Sequence, residues 1–156
     1  MWYKTALKGH KTYYDFNDLS YELIQISDTD DSDWEPSEAV KRTISYVLNA
    51  YDLEHMDEDN PVGKMKLDID FYSSGKKQIY INLVRTDDWH GGMGVATNLY
   101  KWLKYNYQNF GNPEWIVSNP YNSAAERIRE KIFGKPQSTY PMREYDLDYT
   151  QGKLDL

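Results

Sequence analysis

Residues 65–84 carry the pattern that constrains the fold of this chain most. Apolar side chains occupy every second position from Met65 to Phe71, with polar residues between them. An alternation of this length is typical of a strand with one buried face. Ser-Ser-Gly-Lys at 73–76 supplies turn residues, and the segment from Gln78 to Val84 is rich in Ile, Tyr and Val. The sequence therefore predicts a β-hairpin.

The segment before the hairpin predicts a strand and a helix. Residues 21–26, Tyr-Glu-Leu-Ile-Gln-Ile, are β-rich and partly alternating. Pro36 is suited to the first position of a helix. The apolar residues that follow it fall at helical spacing on one face: Val40, Ile44, Val47, Leu48 and Tyr51. We therefore predict a strand over 21–26 and a helix that begins at Pro36.

Four more elements are predicted after the hairpin. They are a helix over 95–109, a short buried strand over 115–117, a helix from Asn122 or Ser123 to Phe133, and a strand over 145–149. The chain has 156 residues, an ordinary length for one domain. Strands and helices in this mixed order predict a single α+β domain over 1–156, with one sheet flanked by helices.

Composition and charge exclude several classes of site. The chain has no Cys, so thiolate metal sites, disulfides and Cys nucleophiles are excluded. The acidic stretch after residue 27 resembles a calcium loop only faintly, since Asp33 stands where Gly is needed and Ala39 where Glu is needed. We expect no metal. The net charge of −7 argues against nucleic-acid binding and favours a cationic partner.

No targeting or membrane signal stands out. No apolar run approaches the roughly 20 residues needed to cross a bilayer. The start, Met-Trp-Tyr-Lys, lacks a basic region followed by an apolar one. We expect a cytoplasmic protein without a membrane partner.

Three glycines mark the junction between the return strand and the next helix. Gly91, Gly92 and Gly94 let the backbone approach a ligand closely. The unpaired N–H groups at a helix start form an anion site that suits a pyrophosphate. The chain has no P-loop motif. Gly92-Met93-Gly94 begins a dinucleotide fingerprint, but Thr97 replaces its third glycine.

Two motifs carry a resemblance to a known superfamily. Residues 91–96, Gly-Gly-Met-Gly-Val-Ala, resemble the pyrophosphate loop of the GNAT acyltransferases, Arg/Gln-x-x-Gly-x-Gly/Ala, with Gly91 in place of Arg or Gln. Residues 122–134 resemble the GNAT segment Asn-x-x-Ala-x-x-Leu-Tyr-x-Lys-x-Gly-Phe. The resemblance covers 65–135. It implies a central, mostly antiparallel, splayed sheet flanked by helices.

The resemblance also implies a cofactor and the residues that hold it. Acetyl-CoA would be the co-substrate. Its pantetheine arm would meet the end of the return strand, and its pyrophosphate would meet the glycine-rich turn. The residues implied are Val84, Thr86, Gly91, Gly92, Met93, Gly94, Val95, Ala96, Thr97, Asn122 and Ala125.

Catalytic residues are harder to assign. Many GNAT enzymes use a Tyr, where this chain has Arg129, to protonate the leaving thiolate. A guanidinium stays protonated, so Arg129 would act only electrostatically, and Tyr80 or Tyr121 are alternative acids. Candidates for the group that takes the amine's proton come just before the glycines or lie on the hairpin: Asp87, Asp88, His90, Asp68 and Asp70. We expect Asp68 and Asp70 to form a solvated strand face.

The resemblance therefore predicts an N-acetyltransferase that acts on a primary amine. The acceptor would be a small cationic amine or a protein lysine or N-terminus, and residues 1–60 would form the variable acceptor side. The alternative is a catalytically silent GNAT-like module that binds another protein. The sequence leaves a monomer and a homodimer open.

Overall fold

The sheet is built from strands that are neighbours in both sequence and space. The computed structural model describes residues 13–30, 40–55, 60–86, 94–118 and 123–134, without the side chains of 123–126. Within these ranges the strands are β1 (Leu19–Asp30), β2 (Val40–Asp52), β3 (Gly63–Tyr72), β4 (Lys77–Thr86) and β5 (Trp115–Ser118). The helices are α1 (Val95–Asn106) and α2 (Ser123–Phe133). Short 3-10 turns cover Phe16–Asp18, Leu53–His55 and Tyr107–Phe110.

The five described strands form one sheet in the order β1-β2-β3-β4-β5. Strands β1 to β4 pair antiparallel in sequence order, and β5 is parallel to β4. A parallel neighbour needs a crossover connection, which α1 supplies between β4 and β5. This is the α+β fold with a mostly antiparallel sheet that the sequence predicts.

The hairpin and the strand near the N-terminus are confirmed. Strand β3 pairs with β4 across the predicted turn, with Ile69 opposite Ile79. Strand β1 contains the predicted strand over 21–26 and extends it to Asp30. The predicted start of a helix at Pro36 and the predicted strand over 145–149 lie outside the described residues.

The helix predicted after Pro36 is wrong from Val40 onward, where the chain forms β2. Its apolar residues fit a helical period, but Ile44, Tyr46, Leu48 and Ala50 also alternate along the side of the strand that faces the core. The segment is rich in β-branched residues, which favour strands. Pairing with β1 on one side and with β3 on the other favours the strand over the helix.

One face of the sheet carries the hydrophobic core. Met65, Leu67 and Ile69 of β3 point to this face together with Ile79 and Ile81 of β4, and all are almost completely buried. Helix α1 covers them with its apolar stripe, which includes Val95, Leu99, Tyr100 and Leu103. Helix α2 packs beside α1, and its Ile128 and Ile132 reach the same cluster.

The helices end close to the predicted positions. Helix α1 begins at Val95 as predicted and stops at Asn106, after which a 3-10 turn completes the predicted span. Helix α2 ends at Phe133, as predicted. Neither described helix has the length and apolar character needed to cross a lipid bilayer.

Candidate functional site

Strand β4 loses its parallel neighbour halfway along its length. Strand β5 pairs with β4 only from Gln78 to Ile81. The next residue, Asn82, is an extra residue in the β3–β4 register, because Leu67 pairs with Ile81 and Lys66 with Leu83. A bulge of this kind bends a strand and increases its twist. From Asn82 to Thr86, β4 therefore has β3 on one side and no described strand on the other.

Helix α1 begins near the last residues of β4. Gly94 is its N-cap residue, with φ 83° and ψ 3°, a left-handed conformation that glycine adopts without strain. The carbonyl of Gly94 accepts the backbone N–H of Asn98 at 3.1 Å and closes the first turn. The N–H groups of Val95, Ala96 and Thr97 have no partner within the helix, because the first turn of any helix leaves them unpaired. Val95 is buried, while Ala96 and Thr97 are half-buried.

A glycine on β3 lets the helix start approach the sheet. Gly63 pairs with Thr86 at the end of β4. A Cβ atom at Gly63 would lie 2.5 Å from Cγ1 of Val95 and 3.2 Å from the carbonyl oxygen of Arg85. The first residue of α1 and the end of β4 therefore meet at one point. The N–H groups at the start of α1 consequently lie close to the last residues of β4.

The segment around Tyr14, near the N-terminus, also contacts the start of α1. The side-chain amide of Asn98 donates to the backbone carbonyl of Tyr14 at 2.7 Å. The hydroxyl of Tyr14 donates to Oδ2 of Asp52 at 2.7 Å, and Oδ1 of Asp52 accepts the backbone N–H of Glu54 at 2.9 Å. Burial raises the pKa of Asp52, but the hydrogen bonds from Tyr14 and Glu54, together with the nearby His55 ring, outweigh it and hold the pKa below its ordinary value.

The sheet face opposite the core carries a buried polar row. The expectation that Asp68 and Asp70 are solvated is wrong, since they are 9% and 0% exposed. Asp68 accepts the hydroxyl of Ser45 at 2.6 Å and the side-chain amide of Asn82 at 2.7 Å. Asp70 accepts Thr43 Oγ1 at 3.0 Å and Gln78 Nε2 at 3.3 Å. Hydrogen bonds from both neighbouring strands make burial of these carboxylates tolerable, which strand alternation alone does not reveal.

Tyr80 lies in the same buried row. It is 2% exposed and pairs with Asp68 on one side and with Val117 on the other. Strand β4 therefore places it on the face opposite α1, two residues before the bulge at Asn82. Its role as an acid stays a prediction.

Arg129 is buried between α2 and β5. It is 2% exposed, and Nη1 donates to the carbonyls of Ile116 at 3.3 Å and Gly134 at 3.4 Å. A cation at the end of a helix interacts favourably with the helix dipole. This geometry favours a structural role for Arg129 in joining α2 to β5. Its stabilisation of a thiolate stays a prediction.

The structure therefore brings together part of the predicted site. Val84 and Thr86 lie on the free edge of β4, and Gly94 to Thr97 form the adjacent helix start. Ala125 lies on α2, but its side chain is not described. The remaining predicted positions lie outside the described residues: Asp87, Asp88, His90, Gly91, Gly92, Met93, Tyr121 and Asn122.

Sequence reasoning missed Gly63, Tyr14, Asn98 and Asp52 as parts of this region. Gly63 comes just before the alternating run, where a glycine at a strand start is a signal of close backbone approach. Asn98 carries a polar side chain on the apolar side of a predicted helix. The partners of Tyr14 and Asp52 are distant in sequence, so no local pattern indicates them.

Comparison with known proteins supports the fold. No protein-family model and no curated protein matches the amino-acid sequence. Among solved structures, an aminoglycoside acetyltransferase from an uncultured soil metagenomic sample, in complex with sisomicin, matches with a TM-score of 0.50. The two sequences are 16% identical, and the match covers 82% of this chain and 94% of that one.

Two further structures match over a shorter span. One is a transcriptional regulator from Bacillus halodurans C-125, with 18% identity, a TM-score of 0.48 and coverage of 64% of this chain and 65% of that one. The other is a possible acetyltransferase from Clostridium difficile 630, with 15% identity, a TM-score of 0.48 and coverage of 65% and 64%. The match spans less than two thirds of the length of both structures.

These findings define the class of fold. The chain shares its α+β fold, with the mixed sheet and helix order described above, with the aminoglycoside acetyltransferase. At these identities the likeness concerns the fold alone, because one fold serves many functions.

Proposed function

We propose that this chain is an N-acyltransferase that transfers an acetyl group from acetyl-CoA to a primary amine. The observation that carries the proposal is the closeness of two backbone surfaces that no described strand or helix pairs with. The last residues of β4 and the start of α1 both lie against Gly63 of β3. The edge of β4 suits a ligand with amide groups, and the start of α1 suits an anion. Acyl-CoA carries both groups in one molecule.

The free edge of β4 suits the pantetheine arm. An extended ligand with amide groups can add to an exposed strand edge through backbone hydrogen bonds. Val84 and Thr86 lie on the part of β4 that follows the bulge, where β5 no longer pairs. These residues would orient the thioester along the strand.

The start of α1 suits the pyrophosphate. The N–H groups of Val95, Ala96 and Thr97 combine with the positive end of the helix dipole. Neither charge nor side-chain donors are required for such a site, which is consistent with Gly91 standing where the superfamily has Arg or Gln. Gly91, Gly92 and Met93 would extend the turn, and Asn122 and Ala125 would contact the cofactor.

The transfer needs a proton acceptor and a proton donor. The amine nitrogen forms a bond to the thioester carbonyl carbon, the carbon–sulfur bond breaks, and the nitrogen loses a proton as the sulfur leaves as a thiol. Asp87 or His90 would take the proton from nitrogen. Tyr121 or Tyr80 would give a proton to sulfur, and Arg129 would stabilise the thiolate only by its charge.

A cationic amine is the acceptor class that the charge of the chain favours. The net charge of −7 raises the local concentration of cations near the protein. An aminoglycoside belongs in the acceptor panel because the acetyltransferase with sisomicin has the same fold. A polyamine represents a second kind of small cationic amine, and a lysine peptide represents a protein lysine.

The test is release of free CoA from acetyl-CoA in the presence of each amine. The chain has no Cys, so a thiol reagent reports CoA without a background from the protein. We expect release that depends on one amine class and yields the acetylated amine by mass spectrometry. Acetyl-CoA binding without transfer to any amine would instead support a silent GNAT-like module that binds a protein. Leu23, Ile24 and Ile26, which are 37%, 41% and 54% exposed, offer that alternative apolar contacts along β1, a strand at the edge of the described sheet.

A further inference from the structure

We infer that Tyr14 is a positioning residue, which holds the first turn of α1 in place for the acyl-CoA. This inference rests on the proposed function. It concerns a segment that neither of the two sequence motifs contains. Residues 13 and 14 lie next to α1 in space, although they precede it by most of the chain.

The first contact joins Tyr14 to the helix. Asn98 is 3% exposed, and its side-chain amide donates to the carbonyl of Tyr14 at 2.7 Å. The backbone N–H of the same residue donates to the carbonyl of Gly94 at 3.1 Å. The backbone of Asn98 therefore closes the first helical turn, and its side chain links that turn to Tyr14 by a hydrogen bond.

The second contact is steric. A Cβ atom at Gly94 would lie 3.0 Å from the carbonyl oxygen of Tyr14 and 3.1 Å from two ring carbons of Tyr13. The N-cap residue of α1 therefore packs directly against the N-terminal segment. A displacement of this segment would change the surroundings of the helix start.

The third contact joins Tyr14 to the sheet. Its ring is 1% exposed, and its hydroxyl donates to Oδ2 of Asp52, the last residue of β2, at 2.7 Å. The other carboxylate oxygen accepts the N–H of Glu54 at 2.9 Å. Tyr14 thus bridges the end of β2 and the start of α1, with one hydrogen bond on each side.

This bridge matters for binding because an anion site made of backbone N–H groups depends on their direction. A turn held in the binding geometry before the ligand arrives loses less entropy when the ligand binds. Removal of either hydrogen bond of Tyr14 should therefore weaken acetyl-CoA binding. The acceptor amine, which would approach from the other side of the splayed sheet, should be affected less.

The experiment compares Tyr14→Phe and Asn98→Leu with a matched control, Tyr21→Phe. Tyr14→Phe removes the bond to Asp52, and Asn98→Leu removes the bond to the carbonyl of Tyr14 while keeping a strong helix former. The hydroxyl of Tyr21 donates to the carbonyl of Phe16 at 3.0 Å, so the control also loses one partly buried hydrogen bond.

We expect both test variants to raise the KM and the Kd for acetyl-CoA by about threefold to tenfold, as the loss of one hydrogen bond allows. The KM for the amine should change by less than about twofold. Tyr21→Phe should lower the melting temperature without changing the Kd for acetyl-CoA. Asn98→Leu keeps the inference testable if Tyr14→Phe does not fold.

Two outcomes would overturn the inference, and they are distinguishable. If wild type binds acetyl-CoA and the folded variants bind it equally well, Tyr14 has only a structural role and the proposed function stands. If wild type does not bind acetyl-CoA, the proposed function fails and this inference fails with it.

Discussion

Gly63 on β3 and Val95 at the start of α1 lie so close that a Cβ atom on the glycine would be 2.5 Å from Cγ1 of the valine. A distance this short lies inside the contact distance of two carbon atoms, so a larger residue at 63 must move the Val95 side chain or the backbone beside it. The position of the candidate anion site above the sheet therefore depends on a glycine that lies outside both sequence motifs.

Gly63→Ala should destabilise the protein by about 1–3 kcal/mol, as overpacking of a close contact does. Urea unfolding should show a lower midpoint with an unchanged slope. The matched control is Gly75→Asn in the β3–β4 turn, where φ is 89° and nothing lies within 4 Å of an added Cβ. Because Asn tolerates left-handed backbone, the control should stay within about 0.5 kcal/mol of wild type. Equal midpoints for wild type and Gly63→Ala would contradict the packing described here.

Tyr14→Phe should change the pH dependence of stability. The pKa of Asp52 lies below its ordinary value in the folded state. The ionised carboxylate therefore stabilises the fold above the pKa of the unfolded chain, and this contribution is lost as the pH falls through the folded-state pKa. Loss of the Tyr14 hydroxyl removes one cause of the low pKa, so the pKa of Asp52 rises in the variant.

The difference in unfolding free energy between wild type and Tyr14→Phe should consequently be largest near neutral pH and shrink in acid. Urea titrations between about pH 7 and pH 3 span the ordinary pKa of Asp. In Tyr21→Phe the lost hydrogen bond goes to a backbone carbonyl, which does not titrate. The loss of unfolding free energy in this variant should therefore vary much less with pH. A deficit of Tyr14→Phe that stays constant with pH would show that Asp52 is not the titrating partner.

Asp68 should tolerate Asn far better than Ala. The Ser45 hydroxyl, which donates to Asp68 now, can rotate to accept an amide hydrogen, and Asn82 can still donate to the remaining oxygen. Asp68→Asn should cost about 1 kcal/mol, and Asp68→Ala, which leaves two donors without this acceptor, about 2–4 kcal/mol. Lys66, exposed on the same strand, provides the control Lys66→Ala. Equal costs for the Asn and Ala variants would rule out the hydrogen-bonded arrangement.

The parts of the fold that follow from local pattern were predictable. The alternation from Met65 to Phe71, with a glycine-containing turn behind it, has no helical interpretation, and the hairpin is confirmed. The segment from Val40 to Asp52 satisfies both a helical and a strand period. Pairing with the neighbouring strands, β1 on one side and β3 on the other, determines that this segment is a strand.

Local sequence pattern also predicts one part of the candidate site and not the rest. Gly94 to Thr97 could be recognised because a glycine-rich turn before a helix has a local signature. The burial of Asp68 and the bridge from Tyr14 to Asn98 depend on contacts between distant segments. The bulge at Asn82 depends on register between strands, which residue type alone does not encode.

Substitutions at Ala96 test whether the start of α1 binds the pyrophosphate of acetyl-CoA. Ala96 is half-buried in the first turn of α1. Glu and Gln have similar helix propensity, and a carboxylate at a helix start is favourable for stability, so Ala96→Glu and Ala96→Gln should both fold. They differ only in a negative charge, which would repel a pyrophosphate.

The measurement is the affinity for acetyl-CoA of wild type, Ala96→Gln and Ala96→Glu by calorimetry, with thermal shift as a second readout. Ligand at 100 times its Kd should stabilise wild type by about 2.7 kcal/mol. We predict that Ala96→Glu binds acetyl-CoA at least about tenfold more weakly than Ala96→Gln, and that the ratio falls as salt is added. Equal affinities for the Glu and Gln variants, or no binding of acetyl-CoA by wild type, would contradict the account.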